Sequence, residues 1–325
     1  MNKKVISFIT VITLLLVVTI FSLVTGSLEV TVFELIRGLF TGDNENVQII
    51  KDLRFPRIII ALFAGAALSV SGVLLQAVMK NPLADPSIIG VSSGAGFMSL
   101  LIVSIFPSLF FYMPLFSFIG GAFAFYLVYR FSWKSGLNPL RMILVGVAIN
   151  AVFTGLSQAL SFMGAATSIN QVTTSTLSMK NWSDVNVMVI YGSIGLILAF
   201  ILYSWCNHLN LGDKTARSLG VNINRTRLIV SAVAVLLASI ATAVAGMFAF
   251  IGLLIPHIGR MLVGTDHKVL IPFSALSGAL LTLTADTLGR IIISPHEIPA
   301  SILVAVIGGP FLIILLRKSE RIYGN

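Results

Sequence analysis

The chain has 325 residues, of which 57% are hydrophobic and 10% charged, with 21 Lys and Arg against 12 Asp and Glu. Its charges are bunched and leave uncharged stretches such as 58–79, 86–129 and 228–259, while a bilayer-spanning helix needs about 20 mostly apolar residues. A soluble globular protein does not need apolar segments of this length from end to end, so the composition implies an all-α, polytopic membrane protein.

In chain order, the apolar runs predict ten spans, at about 5–24, 58–79, 88–106, 112–130, 141–163, 186–206, 228–245, 247–262, 270–289 and 298–316. The first follows Lys3 and Lys4 like a signal peptide, yet it extends about 20 residues with no A-x-A-like site after it, which reads as a retained helix. The run 86–129 is broken by Pro107 and Pro114, with Phe106, Phe110, Phe111 and Tyr112 around them. Aromatic side chains gather at membrane interfaces, so this break reads as a turn between two helices. Ala165 to Ser178 is rich in Ser, Thr, Asn and Gln and is expected outside the hydrocarbon. The run 228–259 is too long for one span and short for two, and Ala245-Gly246 and Pro256 suggest a full helix, a tight turn and a shorter helix.

Ten spans put both termini on one side. With the termini cytoplasmic, the outer side holds Arg37, Lys51, Arg54, Arg57, Lys180 and Arg290, and the other fifteen Lys and Arg lie inside. That bias sets the orientation. It also accounts for the net charge of +9 without a nucleic-acid partner.

Catalytic chemistry is poorly supported. Gly90-Val91-Ser92-Ser93-Gly94 fits G-x-S-x-G, but that pattern has mechanical meaning only at a strand-to-helix turn with acid and His partners. Here it opens a membrane helix, and its GxxxG spacing is better explained by close helix packing. An intramembrane hydrolase is therefore a distant alternative. His208, His257, His267 and His296 never form H-x-x-x-H, and no P-loop occurs. Cys206 stands alone, which excludes a disulfide framework and a cysteine metal cluster. No cofactor is called for. An ion-coupled secondary transporter is the serious rival, but carriers of that kind keep ionisable groups deep in their helices. Here Arg130, Arg141, Arg260, Asp286 and Arg290 lie near span ends, and mid-depth positions offer only Gln76, Asn150 and Gln158. Asp286 and Arg290 are one turn apart and read as a local pair.

Four stretches carry a family signature. Asp52-Leu53-Arg54-Phe55-Pro56-Arg57 precedes the second span, and Ser71-Gly72, Gln76 and Asn81-Pro82-Leu83-Ala84-Asp85-Pro86 lead into Gly90-Val91-Ser92-Ser93-Gly94-Ala95. Leu211 to Gly220 forms an inner loop. Phe250-Ile251-Gly252-Leu253, Pro256-His257-Ile258, Arg260, Gly264-Thr265-Asp266-His267, Ala285-Asp286, Arg290 and Ile307-Gly308-Gly309-Pro310-Phe311 complete the set. In order and spacing this resembles the FecCD-type permeases of ATP-binding-cassette importers for ferric siderophores, heme and vitamin B12.

The resemblance covers essentially the whole chain and implies a single transmembrane permease domain over 1–325 with a BtuC-like fold. It further implies a permease homodimer, two cytoplasmic ATPase subunits that supply the energy, and an external substrate-binding protein. Arg54, Arg57 and Arg290 match positions that receive acidic residues of the binding protein. The loop holding Gly212, Asp213, Ala216, Arg217 and Gly220 matches the surface that couples to the ATPase. The spacing of Gly212, Ala216 and Gly220 suggests one small-residue face open to a rigid cleft. His257 is expected to be packed rather than to bind metal. Leu177 to Asp184 leans toward heme permeases of the Isd type, with ferric siderophores as the runner-up.

Overall fold

The computed structural model describes residues 3–25, 34, 45–132, 139–163, 177, 178, 180–211, 213–293 and 296–323. Gly212, Arg37 and nearly all of the polar stretch 165–178 lie outside them. Among the described residues are twelve α-helices: α1 Lys3–Val24, α2 Glu45–Met79, α3 Val91–Ile105, α4 Met113–Ser132, α5 Pro139–Met163, α6 Trp182–Ile201, α7 Tyr203–Asn210, α8 Asp213–Ser218, α9 Ile223–Ala245, α10 Ile251–Val263, α11 His267–Ile291 and α12 Ala300–Tyr323. A 3-10 turn, Pro107–Tyr112, joins α3 to α4 at the predicted aromatic break.

All ten predicted spans fall on helices. Among the described residues seven helices are long and apolar enough to cross a membrane, while Val91–Ile105, Ile251–Val263 and Ala300–Ile314 are shorter apolar segments. The second span differs most from its sequence reading. Its helix begins at Glu45, runs 35 residues and takes Arg54, Pro56 and Arg57 into its body. At 1.5 Å per residue it is about 52 Å long, well beyond a hydrocarbon core of about 30 Å. Both arginines therefore belong to a rigid helix rather than to a loop before it.

α2 is the axis of the bundle, buried along most of its length and packed against α11, α9, α6 and α10. Its small residues make this possible. A methyl group at Gly65 would overlap the Gly278 carbonyl of α11, and one at Gly72 would overlap the backbone of Gly252 in α10. Beside the first crossing, Ser69 Oγ donates to Ser274 O at 2.7 Å. Lipid offers helices no hydrophobic drive to associate, so such close backbone approach and interhelical hydrogen bonds hold the bundle together. Gly94 plays the same part between α3 and α4, where Gly120 faces it. Ser92 beside it is fully buried, so packing is what this G-x-S-x-G segment does.

Candidate functional site: an arginine cluster and the opposite helical end

The N-terminal part of α2 and the C-terminal parts of α1 and α11 meet at one end of the bundle. There Arg57 forks onto Asp286: Nε donates to Oδ1 and Oδ2 at 3.0 and 2.9 Å, and Nη2 donates to Oδ1 at 2.9 Å. Its remaining Nη1 donates to Glu297 Oε1 and Oε2 at 3.1 and 2.9 Å. Arg290 approaches Asp286 from one turn further on, Nε to Oδ2 at 3.6 Å. Its two terminal nitrogens reach Ser22 and the Thr25 carbonyl at the end of α1. Arg54 donates to the carbonyls of Leu23 and Val24 at 2.6 and 3.2 Å. These are unsatisfied acceptors at a helix C-terminus, where cations are favoured.

The three arginines singled out in the sequence are thus brought together, and each is deeply set. Side-chain exposure is 11% for Arg57 and 9% for Arg290, and Arg54 is buried. Asp286 does pair with Arg290 as its spacing suggests, but its principal partner is Arg57, 229 positions away. Sequence reasoning missed Glu297. No periodicity marks it, because it stands on the connection between α11 and α12. Ile298 N donates to Gly289 O at 2.9 Å, and a methyl group at Gly289 would overlap the Ile298 carbonyl. That close pass folds the connection back over the end of α11 and hangs Glu297 above Arg57. Ser178 Oγ also donates to Glu297, at 2.6 Å. Burial alone would raise the Glu297 pKa, but the Ser178 hydrogen bond and the Arg57 charge outweigh it and hold the carboxyl below its usual range.

Ser178 and Trp182 reach the same end, Trp182 Nε1 donating to Asp52 Oδ1 at 3.3 Å. Asn181 caps α6 by accepting from Ser183 N and Asp184 N, and Asp184 accepts from Asn181 N in return. Such a box satisfies helix-end donors reciprocally.

At the opposite end, the connection between α2 and α3 is pinned from within. Gln76 Nε2 donates to Ala84 O at 3.1 Å and Gly252 O at 3.0 Å. Asp85 is fully buried and accepts from Ser87 and from backbone amides including Gly252; burial raises its pKa in spite of them. Asp266 caps α11 through Lys268 N and accepts from Asn207, whose Oδ1 meets His267. The His257 ring packs edge-on against Phe311 at 5.8 Å. Among the described residues no group of His, Cys, Asp and Glu could hold a metal ion.

The loop around α8 corrects one geometric expectation. Ala216 is 1% exposed and joins the protein's own core, while Thr215 and Arg217 are exposed. Gly220 lies past the helix end at φ +80, with its N–H on Arg217 O and open space where a side chain would be. It terminates the helix, because that φ suits glycine. Ala216 and Gly220 therefore do not share one open small-residue face. Thr215, Arg217, Ser218 and Leu219 are the exposed side chains among the described residues 215–219, Leu219 at 64%.

Comparison with known proteins decides the family, since residues 14–318 match the FecCD transport family. The chain belongs to that family. It is 45% identical over 320 residues to a protein of Staphylococcus aureus named "Probable heme-iron transport system permease protein IsdF", with 98% of each chain covered. An inward-facing structure of a transporter assigned to the metal-chelate ABC type superposes with a TM-score of 0.81 at 30% identity, covering 97% of this chain and 99% of the other. The chain of PsaBC from Streptococcus pneumoniae, solved with a Fab, matches with a TM-score of 0.60 at 17% identity and shares the fold alone.

Proposed function

We propose that this chain is the transmembrane permease subunit of an ABC importer that carries an iron complex, with heme as the favoured cargo. The observation that carries the reading is family membership along nearly the whole chain, together with 45% identity to a relative whose name assigns it heme-iron transport. The metal-chelate type of the solved neighbour keeps ferric siderophores as the second cargo.

In this reading the single permease domain pairs with a second copy, two ATPase subunits attach on the cytoplasmic side, and a binding protein delivers cargo outside. Both termini are cytoplasmic, which makes the arginine end the outer mouth and the α8 loop the inner, ATPase-facing surface. Arg54, Arg57 and Arg290 give the mouth a positive field that guides an acidic binding protein; complementary charge fixes register and encounter more than raw affinity. Arg217 forms the coupling surface, on the loop whose sequence also holds Gly212, Asp213, Ala216 and Gly220. Asp286, the carboxylate nearest a span interior, is neutralised by Arg57 and Arg290, which supports an energy source outside this chain over an ion-coupled carrier.

The test is uptake into proteoliposomes holding the permease, its ATPase and its binding protein. Hemin uptake that excess ferric siderophore does not compete supports the heme assignment. Siderophore uptake with no hemin uptake reverses it.

A further inference from the structure

Arg57 is almost enclosed, and Glu297 occupies its exposed side. The two carboxylates on Arg57 are not equivalent. Asp286 is 2% exposed, takes three hydrogen bonds from Arg57 and has Arg290 as a second cation. Glu297 is 41% exposed, sits on a connection rather than a helix, and among the described residues engages Nη1 of Arg57 and Ser178 Oγ. A carboxylate still in contact with water exchanges a cation for solvent more readily than one buried with its partner, and a buried pair is costly to break from one side. Any movement that opens this cluster therefore releases Glu297 first. With Glu297 turned away, Arg57 keeps Asp286 as its carboxylate, and the charge beside its Nη1 becomes more positive by one.

We infer that Glu297 is an internal stand-in for a carboxylate of the binding protein, and that docking proceeds by exchange: the partner's acidic side chain takes Nη1 of Arg57 as Glu297 leaves. This rests on the proposed docking role of the arginines and adds a displaceable competitor to it. Exchange explains how a nearly buried arginine meets a partner without being left unsatisfied, since one carboxylate replaces another. Ser178 Oγ is freed in the same movement and can donate to the incoming group. The importer thus keeps its mouth charge partly masked until an acidic partner arrives.

The experiment uses the permease with its ATPase in lipid nanodiscs and measures the Kd of the cognate binding protein. Glu297→Gln keeps the shape and removes the competing charge, and should tighten binding about two- to fivefold, the range of a weak exposed pair. Ser178→Ala, which removes the other hold on Glu297, should shift binding in the same direction by less. In an Arg57→Gln background, Glu297→Gln should give no gain. If Arg57→Gln itself binds as the wild type does, the docking role fails and the exchange with it. Should Arg57→Gln bind weakly while Glu297→Gln and Ser178→Ala match or fall below the wild type, docking stands and the exchange is overturned. Monodisperse elution checks folding, and if Glu297→Gln does not fold, Ser178→Ala decides alone.

Discussion

Replacing Asp286 with Asn leaves shape nearly unchanged but removes the negative charge on which Arg57 and Arg290 converge. Breaking a buried pair from one side costs about 3–5 kcal/mol, because the remaining charge is left uncompensated. Two features place this site near the lower bound of about 3 kcal/mol: Arg57 retains Glu297 through Nη1, and Arg290 retains Ser22 and Thr25 on α1. The assay is denaturant titration of the purified permease, as a cycle of Asp286→Asn, Arg57→Gln and the double variant. The second change removes the cation stranded by the first, so the double variant should be more stable than the sum of the single losses predicts, by about 2 kcal/mol, within the range seen for directly paired groups. Coupling below about 0.5 kcal/mol, the level of independent sites, would refute the view that this fork ties α2 to α11.

Arg54→Ala removes the donor to the Leu23 and Val24 carbonyls at the end of α1, where hydrogen bonds involving a charged group contribute about 1.5–3 kcal/mol; faster amide exchange at the last turn of α1 should report it. Gly72→Leu drives a side chain into the Gly252 backbone, so it should fail to yield folded permease, beyond the roughly 1–3 kcal/mol of ordinary overpacking. Gly220→Ala forces a left-handed backbone on a residue with a Cβ, a strain of about 1–3 kcal/mol. Together with Leu219→Glu it should weaken ATPase co-purification, while normal co-purification of both would move the coupling surface elsewhere. The Glu297 carboxyl is depressed, so its contribution is present above the ordinary glutamate pKa of about 4.3 and is lost as pH falls through the lower folded value. Hydrogen exchange in the 296–299 segment should rise relative to Glu297→Gln over that acid window only, once the intrinsic pH dependence is divided out.

Hydrophobic run length was enough to place the ten spans, because a bilayer imposes one length scale on every helix. Helix ends beyond the hydrocarbon were less legible. α2 extends 13 residues before its apolar run, where Arg54 and Arg57 bond to neighbouring elements, and no hydropathy signal marks such a start. The arginines were visible as charges at a span end, but the partners of Arg57 were not, since Asp286 and Glu297 lie more than 220 positions away in sequence. Spacing misled at Ala216 and Gly220: a four-residue interval implies a shared face only while the helix continues, and α8 ends at Ser218. Gln76, read from the sequence as a mid-depth polar group, stands three residues before the end of α2 and pins the α2–α3 connection, the packing role expected of such residues.

Under the proposed function, transport is driven by ATP on a separate chain and needs no ion gradient across the membrane. A charge buried at mid-depth costs at least about 2.5–3.5 kcal/mol, so ion-coupled carriers keep one there for use, whereas Asp286 is committed to Arg57 and Arg290 at the helix end. The direct measurement is hemin uptake into proteoliposomes of permease, ATPase and binding protein, with ATP at the nucleotide-binding side and ionophores collapsing every ion gradient. Uptake at an undiminished rate is the predicted result. Loss of uptake on adding ionophore while ATP hydrolysis continues would contradict the account.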